Sequence, residues 1–130
     1  MSYNRNNVKS VTAYIPSIAS DGSVIAGMLY APAPAEVVGV HVVTGGATVS
    51  TNWNLNIYKN ASNTGSRIAT TGSLAAIASY TGTDLTTSLT TTTALKKLAA
   101  GDVVLLELTS HGGTTTNSIV QLDYIFGYED

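Results

Sequence analysis

The stretch NWNLNIYK, Asn52 to Lys59, decides how the rest of the chain is read. Trp53, Leu55 and Ile57 alternate with Asn52, Asn54, Asn56 and Tyr58. A period of two puts the apolar set on one side of an extended strand and the polar set on the other; a helix would scatter both around its axis. The segment reads as a half-buried strand with one wet face. NASNTGS (60–66), which follows, is turn chemistry, and Arg67 to Thr71 returns as a short strand.

Outward from there the same pattern recurs. VKSVTAYI (8–15) ends at Pro16, SVIAGMLY (23–30) follows the Asp21-Gly22 turn, and EVVGVHVV (36–43) ends at Gly45-Gly46. Leu74 to Thr93 is rich in Thr, anchored by Leu85 and Leu89, and reads as one or two irregular edge strands with loops. Residues 94–100 suit one helical turn. Gly101-Asp102 turns the chain, and Val103 to Thr109 and Ser118 to Tyr128 read as a closing hairpin across HGGTTTN. Helical periodicity is nearly absent. There is no internal repeat and no second-domain linker. The expectation is an all-β protein, a β-sandwich or jelly roll of about eight short antiparallel strands. It forms a single domain over residues 10–130, preceded by a flexible N-terminal arm over 1–9.

Composition narrows the function classes. A chain of 130 residues is large enough for one buried core. Six Lys and Arg against eight Asp and Glu give a net charge of −2, which argues against a nucleic-acid partner. With no Cys there are no disulfides and no thiolate ligands, which fits synthesis in a reducing cytoplasm. The start, MSYNRNNVKS, has no apolar core of a secretory signal. From Val24 to Val43 Glu36 alone is charged, a length near the ~20 residues of a membrane span. Pro32 and Pro34 in its middle would break a helix, so two strands joined by APAPAE explain it better and no membrane is involved.

One strand carries a surplus. In VVLLEL (103–108), Val104, Leu106 and Leu108 make an ordinary core face, but Val103 and Leu105 point away from it beside Glu107. Residues 23–30 and 36–43 are apolar on both faces too. Loops of the same chain would cover such faces in one reading; a neighbouring subunit covers them in the preferred one.

No catalytic or cofactor site emerges. His41 shares a strand face with Val37, Gly39 and Val43, and His111 precedes Gly112-Gly113 in a loop; both read as structural or solvated rather than as zinc ligands. The nucleophile elbow G-x-S-x-G is missing. Asp21, Asp84 and Asp102 lie in turns, where a carboxylate caps its own backbone. Glu107 and Asp123 are expected to face each other across the closing hairpin in a structural hydrogen bond. EF-hand spacing is absent. Asn60-Ala61-Ser62 matches a glycosylation sequon without a signal peptide to support its use, and Gly45-Gly46 reads as a turn. Thr90 to Thr93 and the Asn face of 52–58 offer hydroxyls and amides for sugars, with Tyr58 or Tyr80 as stacking platforms, though a solvated or subunit-facing strand is the plainer reading.

The second half has a recognisable layout: NWNLNIYKN, a Gly-containing loop, LKKLAAGDVVLLELTSHGG, then IVQLDYIFGYE. A Leu-x-AGD turn into an apolar strand, a Gly-rich connection and a last strand resemble small β-sandwich structural proteins of tailed bacteriophages, above all capsid decoration (cement) proteins. The resemblance covers roughly residues 35–130. It implies a non-enzymatic homotrimer on the outside of the virion head, made in the host cytoplasm and bridging major capsid protein subunits. In that setting Tyr3, Arg5 and Lys9 of the arm are the expected capsid contacts. The other function carried is a tail- or fibre-associated receptor- or carbohydrate-binding module. Trp53, the single Trp, sits on an apolar strand face, which disfavours a Trp-based sugar platform.

Overall fold

A computed structural model describes residues 7–19, 22–44, 52–75, 77–78, 80–111 and 117–127, and for Asn52 and His111 the backbone alone. The strands are β1 (Val8–Ile15), β2 (Ser23–Tyr30), β3 (Ala35–Thr44), β4 (Asn52–Lys59), β5 (Arg67–Thr70), β6 (Gly82–Asp84), β7 (Lys97–Leu98), β8 (Val103–His111) and β9 (Ser118–Phe126). A short α-helix, α1 (Thr93–Lys96), precedes β7. The fold is an all-β sandwich. One sheet runs β1-β9-β3-β6, with β7 also pairing β3; the other runs β2-β8-β4-β5. All of the strand pairings are antiparallel.

The core lies between the sheets. Val40 and Val42 of β3, Trp53, Leu55 and Ile57 of β4, Leu106 of β8, and Val120 and Leu122 of β9 are fully buried there. Each set has the period of two that an inward strand face requires. Trp53 is fixed further: its Nε1 donates to the Ala75 carbonyl at 2.8 Å, and its backbone pairs with Leu74.

The expected closing hairpin does not form. β8 lies between β2 and β4, while β9 lies between β1 and β3, so strands that follow each other in sequence sit in opposite sheets. Both are doubly flanked by hydrogen-bonded neighbours, which satisfies more backbone groups than a hairpin at a sheet edge would. Glu107 and Asp123 are therefore on different sheets and do not meet. The intervening residues 112–116 lie outside the described residues.

The Asn face of β4 is also drier than its pattern implies. Asn56 and Tyr58 are as buried as core residues, and Asn54 is half-buried. The surplus of VVLLEL finds part of its cover here: Leu105 is in register with Tyr58 on one side and Gly27 on the other, and both it and Val103 are half-buried. Other apolar side chains stay exposed: Ile25 and Tyr30 of β2, in register with Glu107 and Val103 beside this strand, and Tyr14, Val43 and Ile119 on the other sheet.

Segment 81–90 bridges the two sheets. Its β6 end pairs with β3, and its other end pairs with β5 through Ala69 and Leu89, with the Thr90 amide donating to the Ile68 carbonyl at 2.8 Å. Between them Leu85 closes the core, its amide held by the Val40 carbonyl at 2.8 Å. The Thr-rich stretch read as irregular edge strands with loops supplies one edge strand, β6, and continues as a strap across one open side of the sandwich.

Candidate functional site

The outer face of the five-stranded sheet is built from residues whose neighbours in the chain point into the core. In cross-strand rows, Tyr14, Ile119 and Val43 lie side by side; Thr12, Gln121, His41 and Asp84 make the next row, and Ser10, Asp123 and Gly39 the one after. The first row is apolar and exposed. The other two form a connected polar cluster.

Asp123 is its hub. Ser10 Oγ donates to Oδ1 at 2.7 Å and Gln121 Nε2 to the same oxygen at 2.9 Å, while His41 Nε2 lies 2.9 Å from Oδ2. The other ring nitrogen of His41, Nδ1, lies 3.5 Å from Oδ1 of Asp84 on β6. Asp84 in turn accepts from the Thr86 amide at 2.9 Å, the turn-capping role expected of it. Gly39 makes room for this hub: a Cβ there would lie 3.0 Å from Asp123 Oδ2. Next to Gly39 the pairing with β9 shifts by one residue at Val38.

The cluster stabilises charge rather than making a nucleophile. Ser10 hydrogen-bonds the carboxylate and not the imidazole, so the three residues lack the serine-to-histidine contact that activates a hydroxyl. Partial burial opposes ionisation of Asp123, but hydrogen bonds from Ser10, Gln121 and His41 outweigh it and hold the carboxyl below its ordinary range. Asp84 is likewise held low, first by Thr86 through side chain and backbone, then by the His41 charge. A carboxyl whose folded pKa is depressed contributes stability that is complete above its unfolded pKa, about 3.9, and is lost as pH falls through the folded value. Thermal melts of the native protein should therefore drop progressively below about pH 4, and Asp123→Asn should flatten that acid limb. An acid limb identical in the variant would place the lost protonation sites elsewhere.

A second polar network lies on the outer face of the other sheet. Glu107 Oε1 accepts from Tyr58 Oη at 2.8 Å and from Asn56 Nδ2 at 3.2 Å, and Asn56 Oδ1 accepts from Thr70 Oγ1 at 2.6 Å. Burial first, then the hydrogen bond and charge of Glu107, raise the Tyr58 phenol above its usual pKa, with Arg67 opposing. Beside this network a groove of about 480 Å³ runs between β5 and the strap, its hydroxyls supplied by Thr64, Thr70, Ser88 and Thr90 to Thr92.

Among the described residues, no group of three or more His, Cys, Asp or Glu is arranged to hold a metal ion, and no helix is long and apolar enough to cross a membrane. The chain matches no protein-family model and no curated protein. A solved structure of a Bacillus endospore appendage, from a novel family of disulfide-linked pili, aligns over 98% of this chain and 98% of its own. Its identity is 12% and its TM-score 0.44, too low to carry any argument about this chain.

The residues singled out in the sequence are dispersed. Lys9 is exposed within β1, in register with Tyr124, so the arm gives way to strand at Val8; Tyr3 and Arg5 lie outside the described residues. Tyr58 is buried under Glu107 and is no stacking platform, whereas Tyr80 is 79% exposed. Asn60, the sequon residue, is already engaged: its Oδ1 accepts from the Val103 amide at 2.9 Å and its Nδ2 donates to Asp102 at 3.0 Å. Asp102 caps the Ala99 amide at 2.8 Å, and Gly101 before it has φ +92°, which is what the AGD turn requires of its glycine. The Asp123 hub went unnoticed in the sequence. The signal available was a run of polar residues (Ser10 and Thr12, Gln121 and Asp123) at alternate positions in strands whose other positions are apolar.

Proposed function

We propose that this chain is a non-enzymatic structural protein that works as a subunit of a larger assembly, and specifically as a trimeric decoration protein on the outside of a bacteriophage head. The observation that carries the reading is the exposed apolar row on the five-stranded sheet, where Tyr14, Ile119 and Val43 stand in register across β1, β9 and β3. Exposed apolar side chains aligned over adjacent strands suit a face that is covered by another protein surface. The phage head and the threefold arrangement rest on the resemblance of residues 35–130 to decoration proteins. Major capsid protein is then the partner, with Tyr3, Arg5 and Lys9 as its contacts.

Light scattering coupled to size exclusion tests the assembly, with an expected mass three times the 13.4 kDa of one chain. Ile119→Lys should reduce that mass to one chain while leaving the far-ultraviolet circular dichroism unchanged, because the side chain is already at the surface. Sedimentation with phage heads lacking the protein tests the partner: binding is expected, and removal of residues 1–7 should weaken it. A wild-type protein that stays monomeric at all concentrations and does not sediment with heads overturns the proposal. A tail- or fibre-borne sugar module is the second reading, favoured by the hydroxyl-lined groove beside β5 and the exposed ring of Tyr80. Glycan-array binding without head binding would select it.

A further inference from the structure

The strap over 81–90 is tied to the sheet by an imidazole set between two carboxylates, His41 between Asp84 of the strap and Asp123 of β9. We propose that His41 is a proton-operated latch: its imidazolium holds the strap closed through Asp84, and its deprotonation releases that hold.

The asymmetry of the two contacts makes this a latch rather than a fixed support. The imidazolium has a proton on each ring nitrogen and can donate to Asp123 and Asp84 together. The neutral ring has one proton. Asp123 is the closer partner, at 2.9 Å against 3.5 Å, and the less exposed, at 16% against 69%. The single proton therefore stays on Nε2, facing Asp123. Nδ1 then turns a lone pair toward the Asp84 carboxylate, and an attraction becomes a contact between two acceptors. The charge change thus falls on β6, while the bond to the central strand β9 persists.

The surroundings leave this pair in control. The strands packed around His41 carry Asp123 on β9, Asp84 on β6, Lys9 on β1 and Glu36 on β3. Lys9 and Glu36 occupy register positions paired with Tyr124 and Ile125, beyond Asp123 as seen from His41. Gln121, Ser10 and Thr12, on the same face, are uncharged. β6 is only three residues long, so its few ladder bonds leave a side-chain tie a large share of its hold on β3. Asp84 also passes the effect along the strap: it holds the Thr86 amide, and Thr86 Oγ1 accepts from the Val40 amide at 3.2 Å.

Hydrogen exchange read residue by residue tests the latch. The reporter is the Leu85 amide, bonded to the Val40 carbonyl; the Leu106 amide in β8 is the control. Protection factors, corrected for intrinsic exchange, are measured on both sides of the His41 titration, which is located by the ring-proton resonances of the same protein. Leu85 protection should fall roughly two- to fivefold on the alkaline side, the range for a partly exposed ion pair, while Leu106 stays constant. His41→Gln and Asp84→Asn should each abolish the step. Asp84 is largely exposed, so its variant keeps the fold even if the His41 variant does not. A step of equal size in Asp84→Asn, or none in the native protein, overturns the latch.

Discussion

Replacing Trp53 by alanine should destabilise the fold by about 3–5 kcal/mol, the range for removing a fully buried large aromatic ring. The side chain has no exposed surface, and its Nε1 proton is satisfied by the Ala75 carbonyl. Truncation therefore removes a large apolar volume and leaves that carbonyl without its donor. Against a total stability of about 5–15 kcal/mol for a domain, the loss leaves a marginal protein. Asn54→Ala, on the opposite face of the same strand and half-buried, should cost far less. Equal shifts in chemical denaturation midpoint for the two variants would show that the faces of β4 contribute alike, contrary to the burial described.

Glu107→Ala should follow at about 2–3 kcal/mol. Glu107 is the acceptor for two donors, the Tyr58 hydroxyl and the Asn56 amide, both on side chains buried as deeply as the core. Removing one partner leaves buried donors unsatisfied, and that penalty exceeds the net worth of the bonds themselves. Glu107→Gln keeps a carbonyl at the same place and should lose much less. If both variants melt together, the carboxylate charge rather than the acceptor sustains the network; if neither moves, water replaces Glu107 at no cost.

Strand positions were legible because they are set locally. β1, β2 and β4 have the bounds that alternation and turn residues mark, and the AGD turn has its positive-φ glycine where the sequence places it. Which sheet each strand joins was not legible. Nothing within VVLLEL or IVQLDYIF says that they part company, since a Gly-rich connection serves a hairpin and a crossover alike. The polar hub was hidden for the same reason: His41 meets Asp123 across 82 positions of sequence, and no local pattern records a meeting of that span. The Asn face of β4 misled in the other direction. Alternation tells which residues share a side, but Asn56 and Tyr58 are dry because Glu107, on another strand, reaches over to them.

The order of strands in the two sheets also bears on synthesis. β1 pairs with β9 and β2 with β8, so neither has a strand partner until residues beyond 102 have been made. β3 and β4 have, by then, short companions in β5, β6 and β7, and each still lacks its longest neighbour. A nascent chain emerging from the ribosome would expose β1 and β2 unpaired, and β3 and β4 paired on one edge only, until β8 and β9 arrive to fill the middle of both sheets at nearly the same moment. Folding of this kind waits on non-local pairing, is slow for its size, and leaves an interval open to wrong partners. That interval is where a chaperone or a second nascent copy would first find the chain.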